Sequence, residues 1–182
     1  MQAYPIIVLV GPSGAGKTSL LLQMLSRFPN QTAAIKSKVT RSRRNEQDAV
    51  FYDFLSEPEF EHFRAEGRLF QTAHYAGHNY GCERKQTDAV VQQKIGLVVL
   101  VQQSVADFIA AGYKLVLVEI VPEGYIPRTE NHRVAADQAR NAVPLSYDYH
   151  ITNSFAPGGF EHATDELTKI IRGLLNLTPT LR

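Results

Sequence analysis

The sequence has no tryptophan and one cysteine in 182 residues, and its nineteen basic side chains are offset by eighteen acidic ones, for a formal charge of +1. Cys82 alone can close no internal disulfide and build no thiolate metal site, which suits a reducing compartment. With so little net charge, no global field draws the chain to nucleic acid or anionic lipid, so any anion must be gripped locally. No apolar run approaches the roughly 18 residues that span a bilayer, and Met1–Pro5 lacks the basic and long apolar stretches of a secretory signal. The expected setting is the cytoplasm. Internal repeats, low-complexity tracts, a Gly-x-Ser-x-Gly elbow and a cysteine nucleophile signature are all missing, which excludes solenoids and gives covalent catalysis no support. The six histidines fall at no paired metal-ligand spacing on one predicted element.

What is present is a globular composition, 44% apolar and 20% charged, at a length that suits one core. Ile6–Val10 is a short apolar run ending in glycine, as a strand buried on both faces would be. Leu20, Leu21, Met24, Leu25 and Phe28 recur at helical spacing behind it, predicting a helix from Lys17 to Phe28. Ser56 and Glu59 have capping-box spacing for a helix over 57–66. Leu97–Val101 and Leu115–Val121 read as strands joined by a helix that Ser104 caps and Gly112 stops. A final helix, Gly159–Asn176, turns Leu167, Ile170, Ile171, Leu174 and Leu175 to one side. The alternation predicts an α/β fold, a parallel sheet flanked by helices. Short strand-like pieces at Ala33–Ser37, Phe51–Phe54 and Leu69–Tyr75 interrupt it. The expected organisation is one domain over 1–182: a core of 1–32 and 86–182, an inserted mixed β/α lobe at 33–85, and a short lid at 122–131.

Between the first strand and first helix stands Gly11-Pro12-Ser13-Gly14-Ala15-Gly16-Lys17-Thr18, a full G-x-x-x-x-G-K-[ST] loop in the context that motif requires. Its glycines let successive backbone N–H groups converge on phosphate oxygens, and the helix N-terminus adds positive potential. The motif assigns Lys17 to the β- and γ-phosphates of a nucleoside triphosphate and the Thr18 hydroxyl to its magnesium ion. Such a loop serves GTPases, ATPases and kinases alike, so the acceptor side must decide.

Lys36, Lys38, Arg41, Arg43 and Arg44 put five cations within nine residues, a concentration that asks for an anionic partner or a solvated loop. Glu46, the aromatic run Phe51-Tyr52-Asp53-Phe54 and the segment Gly77-His78-Asn79-Tyr80-Gly81, which reads as a turn, follow. In this order, with Thr40-Arg41-Ser42-Arg43-Arg44 behind the phosphate loop and Tyr147–Asn153 near the end, the sequence resembles the guanylate kinases. The resemblance implies a P-loop kinase fold with ATP as phosphoryl donor, Mg2+ as cofactor and a nucleoside monophosphate, GMP or dGMP, as acceptor. By it, Arg41, Arg44, Tyr52 and Tyr80 hold the acceptor phosphate, Ser37 touches the base, Glu46 occupies the family's acidic position, and Arg133, with Arg128 from the lid, neutralises the transferring group. Two guanidinium forks and two phenols are chemically suited to caging a phosphate.

Three departures fall on chemistry. The family's base-reading glutamate is Gln71 here, and an amide offers one acceptor where a carboxylate offers two. The family ends the strand at Leu97–Val101 with two aspartates, where this chain reads Val98-Val99-Leu100-Val101-Gln102-Gln103, leaving magnesium to Thr18 or to Glu119 or Glu123. Only Pro122–Pro127 separate the next strand from Arg128, a shortened lid. Alternatives are a kinase for another phosphate ester, such as ribose 1,5-bisphosphate, and a guanylate-kinase-like binding module. Neither nucleic acid nor membrane is an expected partner, and protein partners are not legible.

Overall fold

A computed structural model describes residues 3–124 and 145–177. The core is a five-stranded sheet in the order β2-β7-β1-β8-β9, built from β1 (Ile6–Val10), β2 (Thr32–Ala34), β7 (Ile95–Val99), β8 (Leu115–Glu123) and β9 (Tyr149–Ser154). All neighbouring strands in it run parallel. That arrangement follows from sequence: strands covered by helices on both faces read as continuous apolar runs, and every residue of β1 is buried.

The pleat divides β1 between two cores. Ile7 and Leu9 face α1 (Lys17–Arg27) and the last helix, α6 (Gly159–Leu177), packing with Leu20, Met24, Leu167 and Ile171. Ile6, Val8 and Val10 face α4 (Arg84–Val91) and α5 (Val105–Ala110), packing with Val91, Val105 and Phe108. Each such buried side chain stabilises the fold by roughly 1.5–3 kcal/mol, so the two stripes fix which way every strand faces. Among the described residues no helix is long and apolar enough to cross a membrane.

The inserted lobe is a second, mixed sheet in the order β4-β3-β6-β5. β3 (Ser37–Val39) runs parallel to β4 (Tyr52–Phe54), and β6 (His78–Glu83) is antiparallel to both β3 and β5 (Leu69–Tyr75). α2 (Asp48–Phe51) precedes β4, and α3 (Glu57–Ala65) carries the expected capping box between Ser56 and Glu59.

Several sequence expectations are redrawn. Ala33–Ser37 is not one strand: Thr32–Ala34 joins the core sheet beside β7, and Ser37 opens a strand of the lobe. The buried Ile35 marks the crossing, so Ala33 and Ala34, expected in the lobe, belong to the core sheet. Gly77–Gly81 is not a turn, since the turn is Ala76-Gly77, both at positive φ, and His78 already belongs to β6. Ser104 makes no side-chain cap for α5, because its hydroxyl serves Gln71 instead. Pro122 and Glu123 extend β8 beside Asn153 and Ser154, while residues 125–131 of the expected lid, with Arg128, and Arg133 beyond it lie outside the described residues.

Candidate active site

The phosphate loop leaves β1 and enters α1 as the sequence requires. Gly11 has φ +146°, and a Cβ there would stand 2.5 Å from the Ile120 carbonyl oxygen, so the loop lies directly on the backbone of β8. Gly16 has φ +85° and starts α1, and a Cβ there would meet Asn153 Nδ2 at 2.4 Å. Asn153, buried at the end of β9, donates from Nδ2 to the Ala15 carbonyl at 2.9 Å and braces the loop from behind. α1 begins with no side-chain cap and no acid in its first turn, which leaves its N-terminal N–H groups and positive dipole end for an anion. Lys17 is 8% exposed, and its Nζ donates to the carbonyls of Gly11 and Pro12 at 2.8 and 2.6 Å, which lays its charge across the loop.

Arg41 follows β3 and is 4% exposed. Its Nη1 donates to Asp48 Oδ2 at 2.7 Å and to the Ser42 carbonyl at 2.9 Å, and its guanidinium lies 4.6 Å from the centre of the Tyr52 ring. Its buried Nε has no hydrogen-bond partner among the described residues. Asp48 Oδ2 also accepts the backbone N–H of Arg44, so one carboxylate anchors the turn that presents both arginines. Burial works against the Asp48 charge, but the hydrogen bonds and charges of Arg41 and Arg44 outweigh it and hold the carboxyl below the ordinary aspartate range. Burial likewise works against Arg41, yet its bond to Asp48 leaves it more firmly cationic than usual. Burial pushes the Tyr52 phenol up against the opposing pull of Arg41, so it stays a proton donor. Tyr80 meets Tyr52 edge-on at 6.4 Å.

The other cations of the segment are engaged elsewhere. Lys36 and Lys38 pair with Asp53 at 3.2 and 2.7 Å, and Arg43 bonds the carbonyls of Asn45 and Glu46. These two lysines hold the Asp53 carboxyl low against the cost of its burial. Because the folded values of Asp48 and Asp53 lie below the unfolded value of about 3.9, their stabilisation is complete above that value and is lost as pH falls through the folded values. The urea midpoint, followed by tyrosine near-ultraviolet circular dichroism, is therefore expected to drop as pH falls below about 4, less steeply in Asp48→Asn. An identical slope in that variant would remove Asp48 from this account.

Both groups open on one cleft of about 360 Å3. Ser13, Gly14, Gly16, Lys17 and Thr18 line it from the core, while Arg41, Arg44, Tyr52 and Tyr80 line it from the lobe. Ser37 and Gln71 close the lobe end, with Gln71 Nε2 donating to Ser104 Oγ at 2.8 Å. Gly11 and Ala15 form the back of the loop and do not reach the cleft wall. Glu46 stands on an exposed turn away from the cleft. Tyr75 and Ser104 line the cleft although sequence reasoning did not select them; the position of Tyr75 on β5, four residues from Gln71, was the available signal.

A sequence model of the family described as guanylate kinase matches residues 3–172. The chain belongs to the guanylate kinase family. Guanylate kinase from Thermosynechococcus vestitus is 36% identical over 92 residues, 50% of this chain and 48% of the relative. The one from Synechocystis sp. is 36% identical over 88 residues, 48% of this chain and 46% of the relative. The chain thus spans about half the length of the curated relatives it matches. The crystal structure of guanylate kinase from Anaplasma phagocytophilum superposes with a TM-score of 0.68 at 24% identity, covering 94% of this chain and 86% of that one. The SH3-kinase fragment of tight junction protein 3 gives a TM-score of 0.52 at 12% identity, covering 94% and 57%. Both likenesses speak to the fold.

Within the family frame, the end of β7 is the main departure on the cleft wall. Val99, Leu100 and Val101 line the cleft there, an apolar face where the family has aspartates. Neither glutamate of β8 makes up for them: Glu119 pairs with His150 Nδ1 at 2.7 Å, and Glu119 and Glu123 both stay off the cleft wall. Among the described residues no group of three His, Cys, Asp or Glu side chains is placed to hold a metal ion. The donors present fit magnesium carried on nucleotide phosphates with Thr18 as its protein ligand, and do not fit a cage of carboxylates.

Proposed function

We propose that this chain transfers the terminal phosphoryl group of ATP to a purine nucleoside monophosphate, GMP or dGMP in the first instance, in the cytoplasm. The observation that carries the reading is the convergence of Lys17 and Thr18, from one sheet, with Arg41, Arg44, Tyr52 and Tyr80, from another, on a single cleft. In-line transfer needs a donor and an acceptor phosphate held face to face, and little else from the protein than positioning and charge. Backbone N–H groups of residues 13–18 bind the donor phosphates, and Lys17 follows the charge that develops on the transferring group. The Thr18 hydroxyl would hold magnesium carried on the nucleotide, which would supply neutralisation of phosphate charge. Arg41 and Arg44 fork the acceptor phosphate, and the phenols of Tyr52 and Tyr80 donate to it. Arg128 and Arg133 are assigned to the transition state on their motif resemblance.

The apolar end of β7 favours a base over a sugar bisphosphate as acceptor: Val99, Leu100 and Val101 give a flat ring a surface and sugar hydroxyls no partner. The presence of both Lys17 and Thr18 at the cleft supports turnover over a bare binding module. A coupled assay of ADP release with ATP, magnesium and GMP, dGMP, AMP, UMP or ribose 1,5-bisphosphate tests the reading. GMP and dGMP are expected to be used at least about tenfold better than AMP or UMP. No ADP release above background with any acceptor would leave only a nucleotide-binding module.

A further inference from the structure

The base-reading end of the cleft is a row of side chains set by sheet register. Ser37 of β3 pairs with Cys82 of β6, and Cys82 pairs with Gln71 of β5. Residues opposite each other in a sheet stand on the same face, with strands about 4.8 Å apart, so the three side chains lie abreast. Ser37 and Gln71 reach the cleft, while Cys82 is fully buried between them as a neutral thiol against Ser37 Oγ. Gln71 is 3% exposed. Its bond to Ser104 Oγ is the one hydrogen bond of that side chain among the described residues. Ser104 is itself buried and leaves α5 without a side-chain cap.

An amide is planar, and its oxygen and nitrogen point apart. With Nε2 turned to Ser104, Oε1 is the atom directed elsewhere, and it is a single acceptor. A carboxylate in its place would accept from the ring N1–H and the exocyclic 2-amino group of guanine together. No acid from β7 supplies the missing acceptor, because that wall is Val99, Leu100 and Val101.

Resting on the nucleotide kinase reading, we infer that the site recognises the 6-oxopurine edge and leaves the 2-amino group unread, so that hypoxanthine monophosphates are acceptors alongside guanine ones. Gln71 Oε1 accepts from N1–H and the Ser37 hydroxyl donates to O6. Adenine is rejected because its N1 is a lone pair facing another lone pair. Ser104 is the positioning residue: its Oγ accepts from Nε2, and in that arrangement oxygen, not nitrogen, is left for the base.

The test is calorimetric titration of the whole chain with GMP, IMP and AMP without ATP, paired with acceptor kinetics. GMP and IMP are expected to bind within about threefold of each other and AMP about a hundredfold more weakly. Gln71→Glu should tighten GMP over IMP by about tenfold, since the second carboxylate oxygen takes the 2-amino group. Ser104→Ala releases the amide to turn, and the preference for IMP over AMP should shrink about tenfold through KM with kcat for IMP unchanged, while Ser104→Thr restores it. A wild-type preference of tenfold or more for GMP over IMP overturns this inference and leaves the kinase reading standing. So does AMP binding as tightly as IMP. Failure of all three to bind overturns both.

Discussion

In an Arg41→Lys variant the acceptor KM is expected to rise about a hundredfold while the KM for ATP stays within about threefold of its original value. The buried guanidinium has two tasks at once. Nη1 is committed to Asp48 and the Ser42 carbonyl, and Nε, with no partner among the described residues, belongs to the same rigid plane against the Tyr52 ring. A fork can therefore keep its internal anchor and still present N–H groups to a phosphate. An ammonium is one point charge on a shorter reach, and bonding Asp48 takes it from the acceptor. Hydrogen bonds to charged groups contribute about 1.5–3 kcal/mol each, and a loss of about 2.7 kcal/mol is a hundredfold in affinity. Lysine is the informative choice because alanine would strand a buried carboxylate, and breaking a buried pair from one side costs about 3–5 kcal/mol of stability. An unchanged acceptor KM in the lysine variant would mean that the lobe does not hold the acceptor where the cleft suggests.

The sequence made the phosphate loop legible because backbone chemistry leaves it few alternatives. Gly11 and Gly16 sit where a Cβ would strike the Ile120 carbonyl or the Asn153 amide, so their spacing is a direct trace of geometry. Three of the five core strands, β1, β7 and β8, and the α1 and α6 stripes were legible because burial leaves apolar runs and stripes, whereas β2 is only three residues long and β9 sets exposed polar residues beside its buried ones. What stayed hidden depended on partners far away in the chain. Ser104 has a cap's position in the sequence, yet Gln71, 33 residues earlier, takes its hydroxyl. α4 carries Arg84, Lys85, Gln86 and Asp88 and buries only Thr87 and Val91, too thin a stripe to announce a helix. Of five clustered cations, local sequence gave no reason to separate Arg41 and Arg44 from Lys36 and Lys38; that separation was carried by the resemblance, and the structure supplies its cause in the pairing of both lysines with Asp53. Glu46, placed at the family's acidic position by the resemblance, lies instead on an exposed turn, because the short segment from Arg44 to Asp48 is folded around the Asp48 carboxylate.

Lys17→Met is expected to lower kcat by about 10^2–10^3-fold, the equivalent of about 3–4 kcal/mol of transition-state stabilisation, with a smaller effect on the acceptor KM. Methionine keeps the length and apolar stem of lysine, so packing along the buried side chain is retained and the change removes charge and donors. Those donors hold the Gly11 and Pro12 carbonyls, so the variant also loses two bonds that tie the loop to itself. That loss acts on loop geometry before any chemistry, and a shift of the thermal midpoint reports it separately from kcat. The cleft sharpens the expectation, because no carboxylate on the described wall of β7 organises the phosphates and the burden falls on cations and backbone N–H groups. With few groups sharing the developing charge, deleting one should cost near the top of the range. A variant with kcat within about threefold of the original would show that Lys17 only shapes the loop, and phosphoryl transfer would then have to draw its stabilisation from Arg41 and Arg44.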